Sequence, residues 1–217
     1  METTVKPKFI EPHTIEWAQA RLGRFTSSEI HKLFASGRKK DELFGKGALT
    51  YIKTKIAEIL TGETKNPTSM SMDWGLSNEK DAILRYEKET GVKTRTSGFY
   101  TYNSIYGGSP DAEVNDDGIL EVKCPFASEN HIAISLCNSV EELRDFEEAY
   151  YTQPQGNMFV TGTQWCDFIS YDPRCKNEKF QIKIIRIYRD EAFMKELEYR
   201  LEEASVIMNE YLQNLLK

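Results

Sequence analysis

The chain has 217 residues, of which 40% are hydrophobic and 29% are charged, a balance typical of globular domains. This length is sufficient to bury a core without disulfides or structural metals, so we expect a single domain over residues 1–217. The formal net charge of −6 excludes a protein that coats nucleic acid through bulk positive charge.

The amino-terminal segment has no apolar signal core, and no apolar run approaches the ~20 residues of a membrane-spanning helix. We therefore expect an intracellular protein. The cysteines, Cys124, Cys137, Cys166 and Cys175, are 13, 29 and 9 residues apart, without the Cys-x-x-Cys pair typical of zinc sites. Free buried thiols are the favoured interpretation over a metal or disulfide role, because disulfides are rare in the cytosol.

Helical patterns dominate the first part of the chain. The predicted helices cover residues 14–23, 26–35, 49–60 and about 73–90. The second begins with Thr26 and Glu29 at the spacing of a capping box. The third and fourth are followed by Gly62 and Gly91, and glycine commonly follows the last turn of a helix.

Short segments rich in aromatic and branched residues then predict strands. They cover residues 98–102, 109–114, 119–123, 166–171 and 180–188. A helix from about Val140, with Ser139 and Glu142 spaced as a capping box, lies between the third and fourth strands.

The chain ends in a long predicted helix with an apolar stripe. Its members are Leu197, Leu201, Ala204, Met208, Tyr211 and Leu215. Packing on the parent domain is the simpler interpretation, and a coiled-coil seam is the alternative. The order of elements predicts an α/β or α+β domain with a mixed central sheet.

Residues 107–125 are the most informative about function. The turn at 115–118 predicts a β-hairpin with Asp111 on one strand and Glu121 and Lys123 on the next. Because side chains alternate along a strand, Glu121 and Lys123 point to the same face. Across the hairpin, Asp111 can lie beside Glu121.

Two converging carboxylates repel each other unless a cation lies between them, and hard oxygen ligands suit Mg²⁺ or Mn²⁺. The carbonyl of Val122 is free to add a neutral ligand. Lys123 would hold or deprotonate a water that the cation acidifies. The pattern predicts phosphodiester hydrolysis, and the alternative is a hairpin with charged residues on its solvated face.

Ser109-Pro110-Asp111 with Leu120-Glu121-Val122-Lys123-Cys124-Pro125-Phe126 resembles the PD-(D/E)xK motif of lambda exonuclease-like viral recombinase nucleases. The resemblance runs in the family's order from about residue 16 to the C-terminus. It includes Arg21-Leu22-Gly23, Thr26-Ser27-Ser28-Glu29, Trp74-Gly75, Asn78-Glu79-Lys80-Asp81-Ala82, Ala149-Tyr150, Gln153, Gln155 and Tyr171-Asp172-Pro173-Arg174. It implies a restriction-endonuclease-like α/β core, in which helices flank a mixed central sheet.

The family implies that Asp111, Glu121 and the Val122 carbonyl bind the catalytic metals. The expected cation is Mg²⁺, with Mn²⁺ as a substitute. Lys123 matches the family's catalytic lysine.

Two further residues are implied in the catalytic site. Glu79 matches a helix-borne acid near the metals, although from the residues alone it is more simply a solvated helix charge. Gln153 matches a glutamine that completes the motif from a neighbouring helix. Pro154 follows directly and disfavours helical geometry at its predecessor, so a kink is expected there.

The negative net charge is an average over unlike parts. Residues 1–60 carry a net charge of +4 and the remainder −10, which is compatible with a basic channel. Candidate phosphate contacts are Arg38, Lys39, Lys40, Lys53 and Lys55. The alternative for each is a lysine or arginine that only improves solubility.

Apart from this basic channel, an anion-binding site is predicted near Thr26. Helix N–H groups, hydroxyls and the nearby Arg21 would together bind an anion. In the family, residues matching Arg21 and Ser28 receive the 5′-phosphate. Plain capping explains Thr26 and Glu29 but leaves Arg21 unexplained.

Trp74, with Met72 before it, is a candidate support for an apolar wedge that parts the duplex ends. Core packing is the simpler interpretation of Trp74.

The resemblance implies a Mg²⁺-dependent 5′-to-3′ exodeoxyribonuclease that acts on the ends of linear double-stranded DNA. It would release mononucleotides and leave 3′ single-stranded DNA for recombination. The family also implies a ring-shaped homotrimer, a single-strand annealing protein as partner, and a phage- or prophage-encoded protein in the cytoplasm of a bacterial host cell.

Two alternatives remain open: an endonuclease on the same fold, and a catalytically silent DNA-end-binding module. The joint presence of Asp111, Glu121, Lys123 and Glu79 argues against the silent module.

Overall fold

The computed structural model of the chain describes residues 10–11, 14–37, 42–64 and 69–217. The α-helices are α1 Ile15–Arg21, α2 Lys46–Thr61, α3 Met70–Thr90, α4 Ser128–Leu136, α5 Val140–Phe146, α6 Glu148–Thr161 and α7 Glu191–Leu215. Ser27–Phe34 and Glu178–Phe180 are 3₁₀ helices. The strands are β1 Phe25–Thr26, β2 Thr94–Thr96, β3 Tyr100–Thr101, β4 Tyr106–Gly108, β5 Ala112–Val114, β6 Gly118–Lys123, β7 Trp165–Tyr171 and β8 Ile182–Tyr188.

The larger sheet has the strand order β2-β5-β6-β7-β8. Its neighbouring strands β6 and β7 are parallel, whereas the other neighbours are antiparallel. The sheet is therefore mixed, as the order of elements predicts. The hairpin of β5 and β6 turns at Asn115, which has a φ of 54° and tolerates this left-handed conformation better than most residues.

Helices cover both faces of this sheet. On one face, Ala82 and Tyr86 of α3 join a core cluster that includes Leu120. On the other, residues of α6 and α7 join a cluster that includes Ile119 and Phe168. Because both faces are covered, every residue of β7 is buried. The expected α/β arrangement, a mixed central sheet flanked by helices, is confirmed.

A smaller sheet, β1-β4-β3, contains Thr26 of the predicted anion site, and this residue is buried. β1 pairs in parallel with β4 and leads directly into the 3₁₀ helix Ser27–Phe34. That helix packs against α6, the helix that carries Gln153.

Four features of the helices differ from the sequence prediction. The segment after Thr26 is a 3₁₀ helix, and Thr26 makes no side-chain capping bond. The predicted capping box with Glu29 is therefore wrong, because Glu29 forms an ion pair with Lys32 instead. α4 was not predicted, since its apolar residues show little amphipathic pattern. At α5, Ser139 caps the helix as predicted, but Glu142 accepts from the Asn138 N–H.

The apolar stripe of α7 packs on the parent domain, as predicted. Leu197, Leu201, Ala204 and Met208 are buried in the core, whereas Leu215 near the end is exposed. All four cysteines are free thiols, as predicted, but Cys137 and Cys166 are buried whereas Cys124 and Cys175 are partly exposed. Among the described residues, no helix is long and apolar enough to cross a membrane.

Candidate active site

The β5–β6 hairpin brings the two predicted metal-binding carboxylates together. Asp111 lies just before β5, where its N–H donates to the Leu120 carbonyl at 3.0 Å. Its carboxylate oxygen Oδ2 accepts a hydrogen bond from the Val122 N–H at 2.6 Å. The Asp111 carboxylate is thereby held against the part of β6 that contains Glu121.

Glu121 and Lys123 share the face of β6 that is directed at α6, as strand alternation predicts. The Glu121 side chain is 1% exposed, and its Oε1 accepts from Lys123 Nζ at 2.5 Å. The other oxygen, Oε2, accepts from Asn157 Nδ2 at 3.0 Å. Lys123 Nζ also donates to Gln153 Oε1 at 3.0 Å.

Pro154 does not remove Gln153 from the site. α6 continues from Glu148 to Thr161 with Pro154 inside it, so the proline does not end the helix. Gln153 contacts both Lys123 and the Glu121 carboxylate, and the latter contact lowers the pKa of Glu121. Packing of α6 against the 3₁₀ helix and β7 holds the helix despite the missing backbone donor.

The site carries an excess of negative charge. Burial raises the pKa of Asp111 well above its ordinary value, and the charges of Glu121 and Glu79 act in the same direction. Burial also raises the pKa of Glu121, against the opposing effects of Lys123, Asn157 and Gln153. The pKa of Lys123 is raised by Glu121 and Asp111 although burial alone would lower it.

Glu79 on α3 lies near these groups, which the sequence alone did not favour. Burial is the main cause, and the charge of Glu79 the next, of a pKa of about 12 for the Cys124 thiol. The charge of Glu79 also raises the pKa of Asp111. Glu79 is therefore part of the electrostatic environment of the site.

The donor set fits a hard divalent cation. Repulsion between Asp111 and Glu121 is only partly offset by Lys123, and carboxylate and carbonyl oxygens are the ligands that Mg²⁺ and Mn²⁺ prefer. Among the residues that the structure describes, no group of three or more His, Cys, Asp and Glu side chains is arranged to hold a metal ion. Two carboxylates with open positions suit Mg²⁺, which retains several waters in protein sites.

The predicted anion site contains an arginine whose donors have no acceptor among the described residues. Arg21, the last residue of α1, has its guanidinium 4.4 Å from the centre of the Trp17 ring and 5.5 Å from that of Phe99. Within the described part of the chain, no group accepts a hydrogen bond from it. Burial lowers the pKa of Arg21, whereas the charge of nearby Glu29 raises it.

Thr26 and Ser28 lie beside each other at the start of the 3₁₀ helix. Their hydroxyl oxygens are 3.2 Å apart, with Thr26 3% exposed and Ser28 on the surface. Arg21 interacts electrostatically with Glu29, the residue after Ser28, and with Tyr51, whose hydroxyl accepts from the Thr26 N–H at 3.2 Å.

The basic residues predicted to contact DNA phosphates differ in exposure. Lys55 is 5% exposed and pairs with Glu58 at 3.0 Å, so its prediction as a DNA contact is wrong. Lys53 is exposed and lies 5.5 Å from the centre of the Tyr211 ring. Arg38, Lys39 and Lys40 lie outside the described residues.

Sequence reasoning missed an open groove of about 700 Å³ between the 3₁₀ helix and α2. Lys32, Lys46 and Thr50 line it, together with Glu29 and Glu148. Asn157 was also missed. Its position four residues after Gln153, on the same helix face, was a signal that could have identified it.

Trp74 belongs to a packed cluster near the end of β6. Its ring lies 4.3 Å from the Arg174 guanidinium and contacts Phe126 edge-on at 6.3 Å. Met72 is 56% exposed. Packing is thus the observed role of Trp74, whereas Met72 projects from the surface.

The sequence profile of the YqaJ-like viral recombinase domain matches residues 16–164. The chain belongs to this family. It is also 31% identical to the alkaline exonuclease LHK-Exo from Laribacter hongkongensis, with a TM-score of 0.77 over 93% of this chain and 96% of that one. The complex of LHK-Exo with dAMP gives 30% identity and a TM-score of 0.78, with the same coverage.

A phage-related exonuclease from Haemophilus somnus 129PT shares the fold, with a TM-score of 0.75 at 16% identity over 88% of this chain and 96% of that one. No curated protein matches the chain. The family match and the LHK-Exo structures confirm the resemblance to viral recombinase-type nucleases and the restriction-endonuclease-like core.

Proposed function

We propose that this chain is a Mg²⁺-dependent exonuclease that degrades linear double-stranded DNA from the 5′ end. The coarser enzyme class, an exodeoxyribonuclease, is confirmed by family membership and by the similarity to LHK-Exo. The observation that carries the proposal is the convergence of Asp111, Glu121, Lys123 and Gln153 at the end of β6.

Each residue of the cluster has a proposed role. Asp111, Glu121 and the Val122 carbonyl bind the cation, and Glu79 adds negative charge nearby. The cation, when bound, supplies Lewis-acid stabilisation of the scissile phosphate and acidifies the attacking water. Mn²⁺ is expected to substitute for Mg²⁺, because both prefer oxygen ligands.

Lys123 is the proposed catalytic lysine. Its raised pKa keeps it charged, so it orients water and stabilises negative charge as a hydrogen-bond donor. Gln153 restricts the position of the ammonium group by accepting one of its hydrogen bonds.

Arg21, Thr26 and Ser28 are the proposed receptor of the 5′-phosphate. A guanidinium held over two aromatic rings, without an acceptor among the described residues, is suited to bind a phosphate in bidentate geometry. Binding of a terminal phosphate would determine which strand enters the site and hence the polarity of digestion.

The products would be mononucleotides and a 3′ single strand that serves recombination. The complex of LHK-Exo with dAMP supports a mononucleotide product. A ring-shaped homotrimer and a single-strand annealing partner complete the proposal for a phage- or prophage-encoded protein in the cytoplasm of a bacterial host. Gel filtration with light scattering would test the trimer.

The polarity is tested with linear duplexes labelled at either end and carrying a 5′-phosphate or a 5′-hydroxyl. We expect early release of the 5′ label and faster digestion of the phosphorylated end. Arg21→Ala should abolish that preference while leaving some activity on both substrates. Early release of the 3′ label would overturn the polarity, and cutting of closed circular DNA would indicate an endonuclease.

A further inference from the structure

Asn157 is a buried polar residue next to the predicted metal site. It lies one turn after Gln153 on α6, is 0% exposed, and donates from Nδ2 to Glu121 Oε2 at 3.0 Å. Its carbonyl oxygen Oδ1 is buried and has no hydrogen-bond partner among the described residues. A buried acceptor without a partner destabilises a fold, so stability alone does not explain an amide at this position.

The two oxygens of Glu121 receive donors from different elements. Lys123 of β6 donates to Oε1, and Asn157 of α6 donates to Oε2. The terminal torsion of a glutamate has a broad distribution, so a carboxylate is oriented only when its surroundings fix it. Lys123 has a proposed role with water, and Gln153, which also contacts Glu121, accepts a hydrogen bond from Lys123. Asn157 is a neutral donor whose hydrogen bond to Glu121 does not involve Lys123, so it can remain throughout.

The amide itself is held by close packing. A Cβ on Gly108 of β4 would lie 2.5 Å from Asn157 Oδ1 and 2.3 Å from Ser27 Oγ. Only glycine lets the β4 backbone approach the amide this closely. The Asn157 side chain is therefore confined between β4 and Glu121.

We propose that Asn157 is a positioning residue that fixes the plane of the Glu121 carboxylate for cation binding. The inference rests on the proposed function of Glu121 as a metal ligand. Partners that orient metal ligands commonly contribute 10- to 100-fold to metal affinity. Asn157 would thus act on the cation without contacting it.

Titration of the whole protein with Mn²⁺ by calorimetry tests the proposal. We expect Asn157→Ala to raise the Mn²⁺ dissociation constant about 10- to 100-fold. At saturating Mg²⁺ its kcat should fall while KM for a linear duplex stays within about twofold, because the duplex end binds elsewhere. Asn157→Thr lacks the amide but is closer in volume to asparagine than alanine is. It should show the same changes, and it replaces the alanine variant if that variant folds poorly.

Gln155→Met is the matched control. Gln155 is a buried amide on the same helix, and it bonds Tyr188 and Asp190 rather than the site. This variant should lower the melting temperature without changing Mn²⁺ affinity. Unchanged Mn²⁺ affinity in the Asn157 variants would overturn the positioning role, whereas failure of the unsubstituted protein to bind Mn²⁺ would overturn the proposed function itself.

Discussion

Asp111 and Glu121 lie together where neither carboxylate is well solvated. Burial raises the pKa of both groups, repulsion from Glu121 raises that of Asp111 further, and Lys123 offsets only part of these effects. In the metal-free protein these acids destabilise the fold, which is a common consequence of preparing a site for a charged ligand. Removing one of these carboxylates is therefore expected to stabilise the metal-free protein and to weaken metal binding.

We predict that Asp111→Asn raises the melting temperature of the metal-free protein. The ionised form of a group with a raised pKa is disfavoured on folding, so stability falls as pH rises from 3.8 through the raised value. Each pKa unit corresponds to about 1.4 kcal/mol, and each kcal/mol to about 2–4 °C in a protein of this size. Calorimetry with a chelator should show that Asp111→Asn raises the melting temperature more at pH 8 than at pH 5. An increase in melting temperature that grows toward low pH would contradict this account.

Lys123→Met should lower kcat on linear duplex by about 10²–10³-fold, the usual effect of removing one preorganised donor. The affinity for duplex ends should change little, because the proposed 5′-phosphate receptor is elsewhere. Single-turnover digestion and end binding, measured on the same preparation, separate the two effects. A variant that loses end binding but retains its single-turnover rate would show that Lys123 binds DNA instead.

The sequence was sufficient to predict that Asp111, Glu121 and Lys123 lie close together, because strand alternation and one hairpin determine their placement. Burial of Lys55 could not be predicted in the same way. Its pairing with Glu58 is a local i,i+3 contact within α2, but its burial depends on how α2 packs against the segment around Gly23, whose N–H also bonds Glu58. Burial of this kind depends on tertiary packing, which no local pattern encodes.

At the scale of elements, the loop after β6 is held by one arginine. Arg174 pairs with Asp172 through Nε at 2.8 Å and donates to the carbonyls of Phe126 and Pro125 at 3.0 and 3.1 Å. Burial would raise the pKa of Asp172, but Arg174 and Ser128 lower it from 3.8 to about 2. The loop that follows Lys123 is thereby joined to the end of β7.

Arg174→Ala should destabilise the protein by about 1–3 kcal/mol at pH 7, because it leaves the buried Asp172 carboxylate poorly paired. A group with a lowered pKa stabilises the fold above its unfolded value, and this contribution is lost as pH falls from 3.8 to about 2. The difference in melting temperature should therefore shrink across that window. Arg144→Ala removes an exposed pair with Glu148 and is expected to stay within about 0.5 kcal/mol; equal losses in the two variants would contradict the role of Arg174.

The elements that sequence patterns predicted well are the long ones with clear ends. α2 and α3 end at Gly62 and Gly91, both in the left-handed conformation. The 3₁₀ helix after Thr26 and the continuation of α6 through Pro154 were not predictable, because packing between these two elements overrides their local preferences.

At the scale of the whole molecule, charge is unevenly distributed. The groove between the 3₁₀ helix and α2 carries Lys32 and Lys46, and Glu29 and Glu148 also line it. Lys46 is the first residue of α2, where the helix dipole disfavours a cation. An anionic partner such as a DNA backbone would relieve that unfavourable interaction.

Lys46→Ala should weaken binding of linear duplex uniformly across sequences and reduce the salt slope of the binding constant by about one. Lys93→Ala is the control, since Lys93 is 85% exposed and pairs with Glu87 at 2.7 Å. Binding titrations at several salt concentrations measure both slopes. An unchanged slope for the Lys46 variant would place the DNA on another surface.

Net charge alone therefore predicts little about the partner. The total of −6 excludes bulk coating of DNA, but the +4 of residues 1–60 and the acidic cluster at β6 serve different purposes. The fold class followed from the order of elements, whereas the groove depends on how the 3₁₀ helix and α2 pack against each other and beside Glu148 of α6. Its position could not be read from local patterns.

The most direct test of the central claim is Mg²⁺-dependent release of mononucleotides from a 5′-phosphorylated linear duplex, compared between the unsubstituted protein and Asp111→Asn. We predict release that requires added Mg²⁺, is supported by Mn²⁺ and is absent from the folded variant. Equal release by the two proteins, or release that persists in chelator, would contradict a hydrolytic site built on Asp111, Glu121 and Lys123.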